Sequence, residues 1–446
     1  MRWLHVAGFG GALLLALLGG CGGNDDKTEG EPQATDKGNA ASVKSMDAGS
    51  TQETVASDSS NASRTQEEVE AILAMPYAGW VEDDDEEEVG LVFRDEARSY
   101  PGYTLFVVRL TAKALLIDHA GQVVHEWQDS GARQWGHAEL LPDGDVLLVG
   151  ADRPDEPVPW LADETRHAMR LDWNGGVVWK RYLPVHHDIA TTPDGNLMAL
   201  AFQRRKLPAV HQTIDVRDDL IVTLTPQGER LARFSFYDAV IGRPGIFPLI
   251  ENPVTVVGRR PWVDLFHANS VEWMRHGHLF GKDPIYGPDN VLVCFRRQHR
   301  LAIFDMKKQE VIWAWGEKDI SGPHDAQVLE DGRILLFDNG VNRGWSRVIE
   351  LDPLRNEVVW EFKAPRPTDF YTESRGSAQR LPNGNTLIAN SDNGEIFEVT
   401  REGDVVWRYL CAERNEAGQR ATIVRAKRFE SAFIEELLLK SRRKAG

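Results

Sequence analysis

The chain has 446 residues, with 51 Lys and Arg against 68 Asp and Glu and a formal net charge of −17 at pH 7. That balance argues against sequence-independent binding of nucleic acid, which needs a surplus of cations to displace phosphate counterions. The length leaves well over 300 residues for folded structure, and the three cysteines, Cys21, Cys294 and Cys411, include no CxxC or other zinc spacing and no recognised disulfide framework.

Met1 and Arg2 make a short basic start, and residues 6–18 form an apolar segment too short to span a bilayer comfortably. The segment ends Leu18-Gly19-Gly20-Cys21, which resembles the bacterial lipoprotein box. The resemblance implies cleavage of a signal peptide at residues 1–20, lipidation of Cys21 and anchorage to a membrane; a plain signal peptide or an uncleaved anchor is the alternative. Gly22, standing where Asp would retain an enterobacterial lipoprotein inside, points to the outer membrane. The expected location is the bacterial cell envelope, lipid-anchored and facing the periplasm.

Residues 21–65 are rich in Asp, Ser, Thr, Gly and Ala and carry almost no large apolar groups. They cannot bury enough surface to offset ordering entropy, so they read as a disordered tether. Residues 66–99 read as a short linker, with a helix expected over residues 65–75 and an acidic run over 82–88. The run lacks the alternation and the turn glycine of a calcium loop, so it reads as solvated linker. At the far end, residues 429–446 form a tail in which Phe433, Ile434, Leu437 and Leu438 share one helical face, as in a helix packed on the preceding domain.

Between them, residues 100–428 carry a repeat. Its outer half is an apolar strand, a tight turn, then Val-Val-Trp or a variant, at residues 114–127, 169–179, 220–236, 301–313, 347–360 and 396–407. Its inner half is a strand, Pro-Asp-Gly or Pro-Asn-Gly, then an apolar strand, at residues 140–149, 190–200, 328–337 and 380–389. A four-stranded unit of roughly 45 residues fits a propeller blade. The expected fold is therefore an all-β, six-bladed propeller with four-stranded blades. Residues 237–266 lack an inner-strand signature, which leaves the blade count open by one. The hairpin tryptophans Trp127, Trp179, Trp313, Trp360 and Trp407 recur at one strand position and read as inter-blade core.

Three histidines open corresponding inner strands. His187-Asp188-Ile189 leads to Pro193-Asp194-Gly195, and His324-Asp325-Ala326 to Glu330-Asp331-Gly332; His267-Ala268-Asn269-Ser270 leads, after an insertion, to Pro288-Asp289-Asn290. Innermost strands of a propeller face one central channel, so these imidazoles should converge. His137 stands seven residues before Gly144, where His187 and His324 precede their glycines by eight, so Gly136 is the equivalent position. Solvated channel lining, a zinc site and an imidazole nucleophile are the competing readings. Asp188 and Asp325 are expected to point to the opposite strand face, where they could not orient the rings for a metal. Arg296 and Arg297, following the strand that pairs with the His267 strand, offer a planar fork of donors to an oxyanion. Histidines plus arginine, without carboxylates or a phosphate loop, suit a sulfuryl or phosphoryl group better than a sugar or peptide.

These residues resemble the bacterial arylsulfate sulfotransferases. The likeness rests on His186-His187-Asp188, the stretch from Asp264 to Ser270, Phe295-Arg296-Arg297-Gln298 before Val311-Ile312-Trp313, His324-Asp325-Ala326 before Asp338-Asn339-Gly340, and Gln379-Arg380-Leu381-Pro382-Asn383-Gly384. It covers roughly residues 100–430. The resemblance implies a six-bladed propeller that moves a sulfuryl group from an aryl sulfate donor to a phenol in a ping-pong reaction, with no nucleotide donor and no cofactor. His324 would be the nucleophile, forming a sulfohistidine, while His187, His267 and Arg296 would hold the sulfuryl oxygens and handle the phenolic proton. The chain departs from the best-known members at Arg297, where they carry a histidine, at Cys294-Phe295, and in lacking their N-terminal β-domain. The competing class is a non-catalytic envelope propeller serving as a ligand- or protein-binding scaffold. A quinone-cofactor dehydrogenase is a weaker enzymatic rival, since no calcium-binding constellation or cofactor motif is present.

Overall fold

The computed structural model describes residues 63–74, 79–82, 88–153, 163–252, 254–257 and 260–445. The chain divides into two units, Met1–Asp58 and Ser59–Gly446, and the described residues all belong to the second. The signal segment, the lipidation site at Cys21, most of the tether and residues 83–87 of the acidic run lie outside the described residues.

Among the described residues, six four-stranded antiparallel sheets form a β-propeller. Counting each from its innermost strand, the second blade begins with Ala132–Leu140, the third with Val185–Thr191, the fourth with Ala268–Trp273, the fifth with His324–Val328 and the sixth with Ser377–Arg380. The first blade takes its inner strand from the other end of the chain: Ile423–Phe429 pairs with Tyr103–Val108 and closes the ring. The outer hairpins are set by local chemistry. In the turn after Arg166–Leu171, the Asp172 carboxylate accepts the N–H groups of Asn174 and Gly176, and Gly175 takes φ 82°, a conformation cheap only for glycine.

Each blade is apolar on both faces because it is sandwiched between two others. Six apolar clusters fill the six gaps: Leu148 with Leu116 between blades 1 and 2, Val149 with Val222 between 2 and 3, and Phe304 with Phe234 between 3 and 4. Ile303 with Ile349, Phe337 with Phe397, and Tyr409 with Phe106 fill the other three gaps. The hairpin tryptophans stitch the same gaps by hydrogen bonds. Trp127 Nε1 donates to Asp172 O, Trp179 to Pro226 O, Trp313 to Asn356 Oδ1, Trp360 to Arg401 O and Trp407 to His119 O, in every case on the next blade round the ring. Trp127, Trp179 and Trp407 are buried, whereas Trp313 and Trp360 stay half-exposed at the rim.

Three helices sit outside the blades. α1 (Gln66–Ala74) lies at one channel mouth, α2 (Phe236–Val240) is capped by Ser235, whose Oγ accepts from Asp238 N, and α3 (Ser431–Ala445) buries Ile434 and Leu437 over the gap between blades 1 and 2. The stretch without an inner-strand signature is α2 followed by Val254–Val257 and Arg260–Asp264, the latter joining the third blade in parallel with Asp215–Leu224. It is an insertion, not a blade. No helix among the described residues is long and apolar enough to cross a membrane.

Five of the inner strands break their pairing, that of the second blade between Trp135 and His137. The register shifts between Val185 and Ile189, Ala268 and Ser270, His324 and Gln327, and Val424 and Ala426. At or beside these bulges His187, His267, Asp325 and Arg425 take positive φ, at 61°, 50°, 51° and 38°. A bulge re-aims a side chain, and left-handed non-glycine residues in such numbers mark a site where conformation serves chemistry.

Candidate active site

The bulges bring the three sequence-predicted histidines together. His187 Nε2 lies 3.2 Å from His267 Nε2; His267 acts electrostatically on His324, and His324 on His187. His267 Nδ1 stands 2.5 Å from Asp264 Oδ2, so it donates to that carboxylate and its Nε2 carries the lone pair. The 3.2 Å contact then requires His187 Nε2–H as the donor. Burial raises the cost of ionising Asp264, but His267 and Arg217 outweigh it and hold the carboxyl far below its ordinary range.

His324 is 4% exposed. Its Nδ1 faces two acceptors, Asn339 Oδ1 at 2.7 Å and Gly322 O at 3.0 Å. The amide of Asn339 cannot be turned round, because its Nδ2 donates to Thr372 O at 2.8 Å and Arg375 O at 2.7 Å. Nδ1 therefore carries the proton, and the Nε2 lone pair accepts from the Arg375 backbone N–H at 3.2 Å. Burial first, and the Arg296 guanidinium second, push the His324 pKa well below the ordinary histidine value, so the ring is neutral at pH 7. Burial likewise depresses His187 strongly and His267 more mildly, Asp264 pulling the latter back up.

Arg296 follows the strand Asn290–Phe295 and is 1% exposed, its backbone N–H held by His267 O at 3.1 Å. It is the arginine that acts on His324. Arg297 is equally buried but turns toward α1 and Thr255, with its Nη1 2.9 Å from Glu70 Oε2 and its Nη2 3.3 Å from Thr255 Oγ1.

Asp188 and Asp325 do not point away from the channel, as strict alternation predicts. The bulges rotate both inward, one layer beyond the histidines, where Arg425 bridges them at 3.1 and 3.0 Å and also donates to Asn269 O at 2.8 Å. His137, 3.5 Å from Asp188, joins this layer, and burial lowers its pKa to about 4. The layer partitions the channel. A cavity of about 360 Å³ on its far side is lined by Asp188, Asp325, Arg425, Glu139, Glu272 and Lys427 among others, and by none of His187, His267, Arg296 or His324. This cavity and the histidine chemistry are thus at different ends of the channel. Glu272 keeps some exposure to the cavity, yet burial pushes its pKa up to about 7.

Several supporting residues are absent from the sequence reading. Asp219 accepts from Ala268 N at 2.7 Å and pins the His267 bulge, and Arg217 Nε holds Asp219 at 2.9 Å. His299 Nδ1 accepts the Gly322 N–H at 2.9 Å and fixes the loop leading to His324. Arg375, Asn339 and Asp264 complete the set; only the last two lay inside phrases that the sequence had flagged. His186 faces Phe202 and Asp219, behind the site. Among the described residues, no group of three or more His, Cys, Asp or Glu side chains is placed to hold a metal ion. Both Cys294 and Cys411 are buried free thiols.

Comparison with solved structures returns chains of low identity. A protein of unknown function from Bacteroides caccae is 16% identical, with TM-score 0.44, over 73% of this chain and 98% of that one. Virginiamycin B lyase from Staphylococcus aureus, selenomethionine-substituted, is 11% identical, with TM-score 0.39, over 73% and 89%. Likeness at this level carries no argument about function. None of the curated proteins compared matches. The arylsulfotransferase (ASST) family profile matches residues 166–412, more than half of the chain, which take in His187, His267, Arg296 and His324. The chain belongs to the arylsulfotransferase family.

Proposed function

We propose that the protein transfers a sulfuryl group from an aryl sulfate to a phenol through a sulfohistidine on His324. The observation that carries this reading is the buried, neutral His324 ring, whose Nδ1–H is committed to Asn339 and Gly322 while Nε2 holds a lone pair beside a buried arginine. Such a nitrogen is a nucleophile in waiting. In the first half-reaction Nε2 attacks sulfur, the S–O bond to the aryl group breaks, and the positive charge of Arg296 stabilises the oxygens as charge shifts. The aryl oxygen leaves as a phenolate that takes its proton from solvent, and His267 stays neutral with its Nε2 lone pair.

In the second half-reaction an acceptor phenol gives its proton to His267 Nε2 as its oxygen attacks sulfur, and the S–N bond breaks. His324 returns to its neutral tautomer, and the His267 imidazolium, stabilised by Asp264, passes its proton to solvent. The dyad of Asp264 and His267 is the general base, and in the resting site His187, donating to His267 Nε2, holds that ring in line until the phenol takes its place. Residues 1–21 support a lipid-anchored place in the cell envelope for this activity. Initial rates with donor and acceptor varied together test the scheme. Parallel double-reciprocal lines are expected, and intersecting lines would contradict a covalent intermediate.

A further inference from the structure

The arginine side of the site is covered. Leu73 O, in the last turn of α1, accepts from Arg296 Nη1 at 2.8 Å, and Glu70 of the same helix pairs with Arg297 at 2.9 Å. Val69 and Leu73 are buried in a small apolar cluster with Val341. Ahead of the helix, Arg64 donates to Val341 O at 3.0 Å and to the Tyr371 hydroxyl at 2.6 Å, and its backbone N–H donates to Asn342 O at 2.7 Å. Val341 and Asn342 continue the turn that carries Asn339, the residue holding His324. α1 therefore spans from the arginines of the fourth blade to the His324 support of the fifth.

What α1 places on the two arginines is chemically specific. One group is a carboxylate, and the other is a carbonyl at the negative end of a helix. Both imitate the oxyanion that a sulfate ester would offer to the same donors. Arg296 and His324 are only 1% and 4% exposed with the helix in place, while the layer of Arg425, Asp188 and Asp325 closes the channel from the opposite side. An aryl ester reaching His324 Nε2 from the arginine side comes past α1. The helix has nine residues, too few to be stable alone, and among the described side chains its Val69 and Leu73 pack on Val341. Elements with so little buried apolar surface open most readily.

We propose that α1 is a detachable lid on the site, occupying the arginines until an anionic ester displaces it. The identity of the ester rests on the function proposed above; the lid itself rests on the contacts of α1. Its test needs no substrate. In the full-length chain, the pair Val69→Cys and Val341→Cys is compared oxidised and reduced, and carbethoxylation of His324 by diethyl pyrocarbonate is followed by peptide mass mapping. Oxidation should abolish labelling of His324 and reduction should restore it. Glu70→Gln, which removes the ion pair without removing bulk, should label His324 faster than the wild type. Equal labelling in the oxidised and reduced forms, or no acceleration in Glu70→Gln, would overturn the proposal. Failure of every aryl sulfate to react with a protein that passes these tests would count against the proposed reaction and leave the lid standing.

Discussion

Asn339 Oδ1 stands 2.7 Å from His324 Nδ1, and that contact decides which nitrogen of the ring can attack. Because Asn339 Nδ2 is spent on Thr372 O and Arg375 O, the amide cannot flip to offer a donor instead. Asn339→Ala should therefore lower kcat by about 10- to 100-fold, the loss of one buried hydrogen bond of about 1–3 kcal/mol. KM for the donor should hold steady, because Asn339 orients the nucleophile and touches no substrate. Steady-state kinetics with a chromogenic aryl sulfate separates the two parameters.

The two arginines should respond differently to the same substitution. Arg296→Lys removes the planar fork beside His324 and should cost about 100- to 1,000-fold in kcat/KM, as loss of an oxyanion donor does. Arg297→Lys should cost far less, since Arg297 is held by Thr255 and stands 3.8 Å from Asp264 whether or not α1 is in place, while Arg296 is the arginine whose charge lowers the His324 pKa. Equal losses in both variants would contradict the assignment of Arg296 to the reacting group.

Acidification tests the buried imidazoles twice. Activity needs neutral His324, and its pKa lies well below the usual histidine value, so the fall of kcat/KM assigned to this ring should appear well below pH 6.5. Stability should move sooner. His137 and His186 are lowered to about 4 and His324 further, so below the unfolded value near 6.5 the unfolded chain binds protons that the folded chain refuses. Each such histidine then costs about 1.4 kcal/mol per pH unit. Glu272, raised to about 7, is protonated in the folded state first and offsets one of them. Depressed carboxylates such as Asp188 act only near and below pH 3.8. His187 and His299 are buried and lowered as well, so urea unfolding should show stability falling as the pH drops from 6 to 5, by about 1.4 kcal/mol per pH unit for each such histidine beyond the one Glu272 offsets. A flat profile over that window would contradict the burial of these rings.

The layer beyond the histidines is held by one side chain. Arg425→Ala would leave Asp188 and Asp325 buried and uncompensated, at a cost of about 3–5 kcal/mol. Adding Asp188→Asn and Asp325→Asn should recover most of it, because the neutral amides need no countercharge. Thermal melts of the single and triple variants give the comparison.

Much of this architecture was legible in the residues. Hairpin turns and Val-Val-Trp phrases mark blades because each strand is buried on both faces and each turn needs a particular residue, as at Asp172 and Gly175. His187, His267 and His324 could be aligned because they precede corresponding turns. The direction of side chains beyond the bulges could not be read. Alternation sends Asp325 away from the channel, whereas its φ of 51° turns it inward to Arg425. Arg425 itself lies on the strand that closes the ring from the C-terminal end, which no turn phrase announces. Arg375 contributes a backbone N–H to the site, and a backbone group leaves no trace in residue identity. The short helix near residue 66 was expected as part of a linker; its position over the arginines depends on tertiary contacts with Arg296, Arg297 and Val341.

The most direct test of the central claim is the mass of the intact protein after brief exposure to an aryl sulfate, set against His324→Ala. The account predicts an adduct of one sulfuryl group on the wild type, mapped to His324, discharged by adding a phenol and absent from the variant. Phenol release by the wild type with no adduct at His324, or an adduct that persists in His324→Ala, would contradict it.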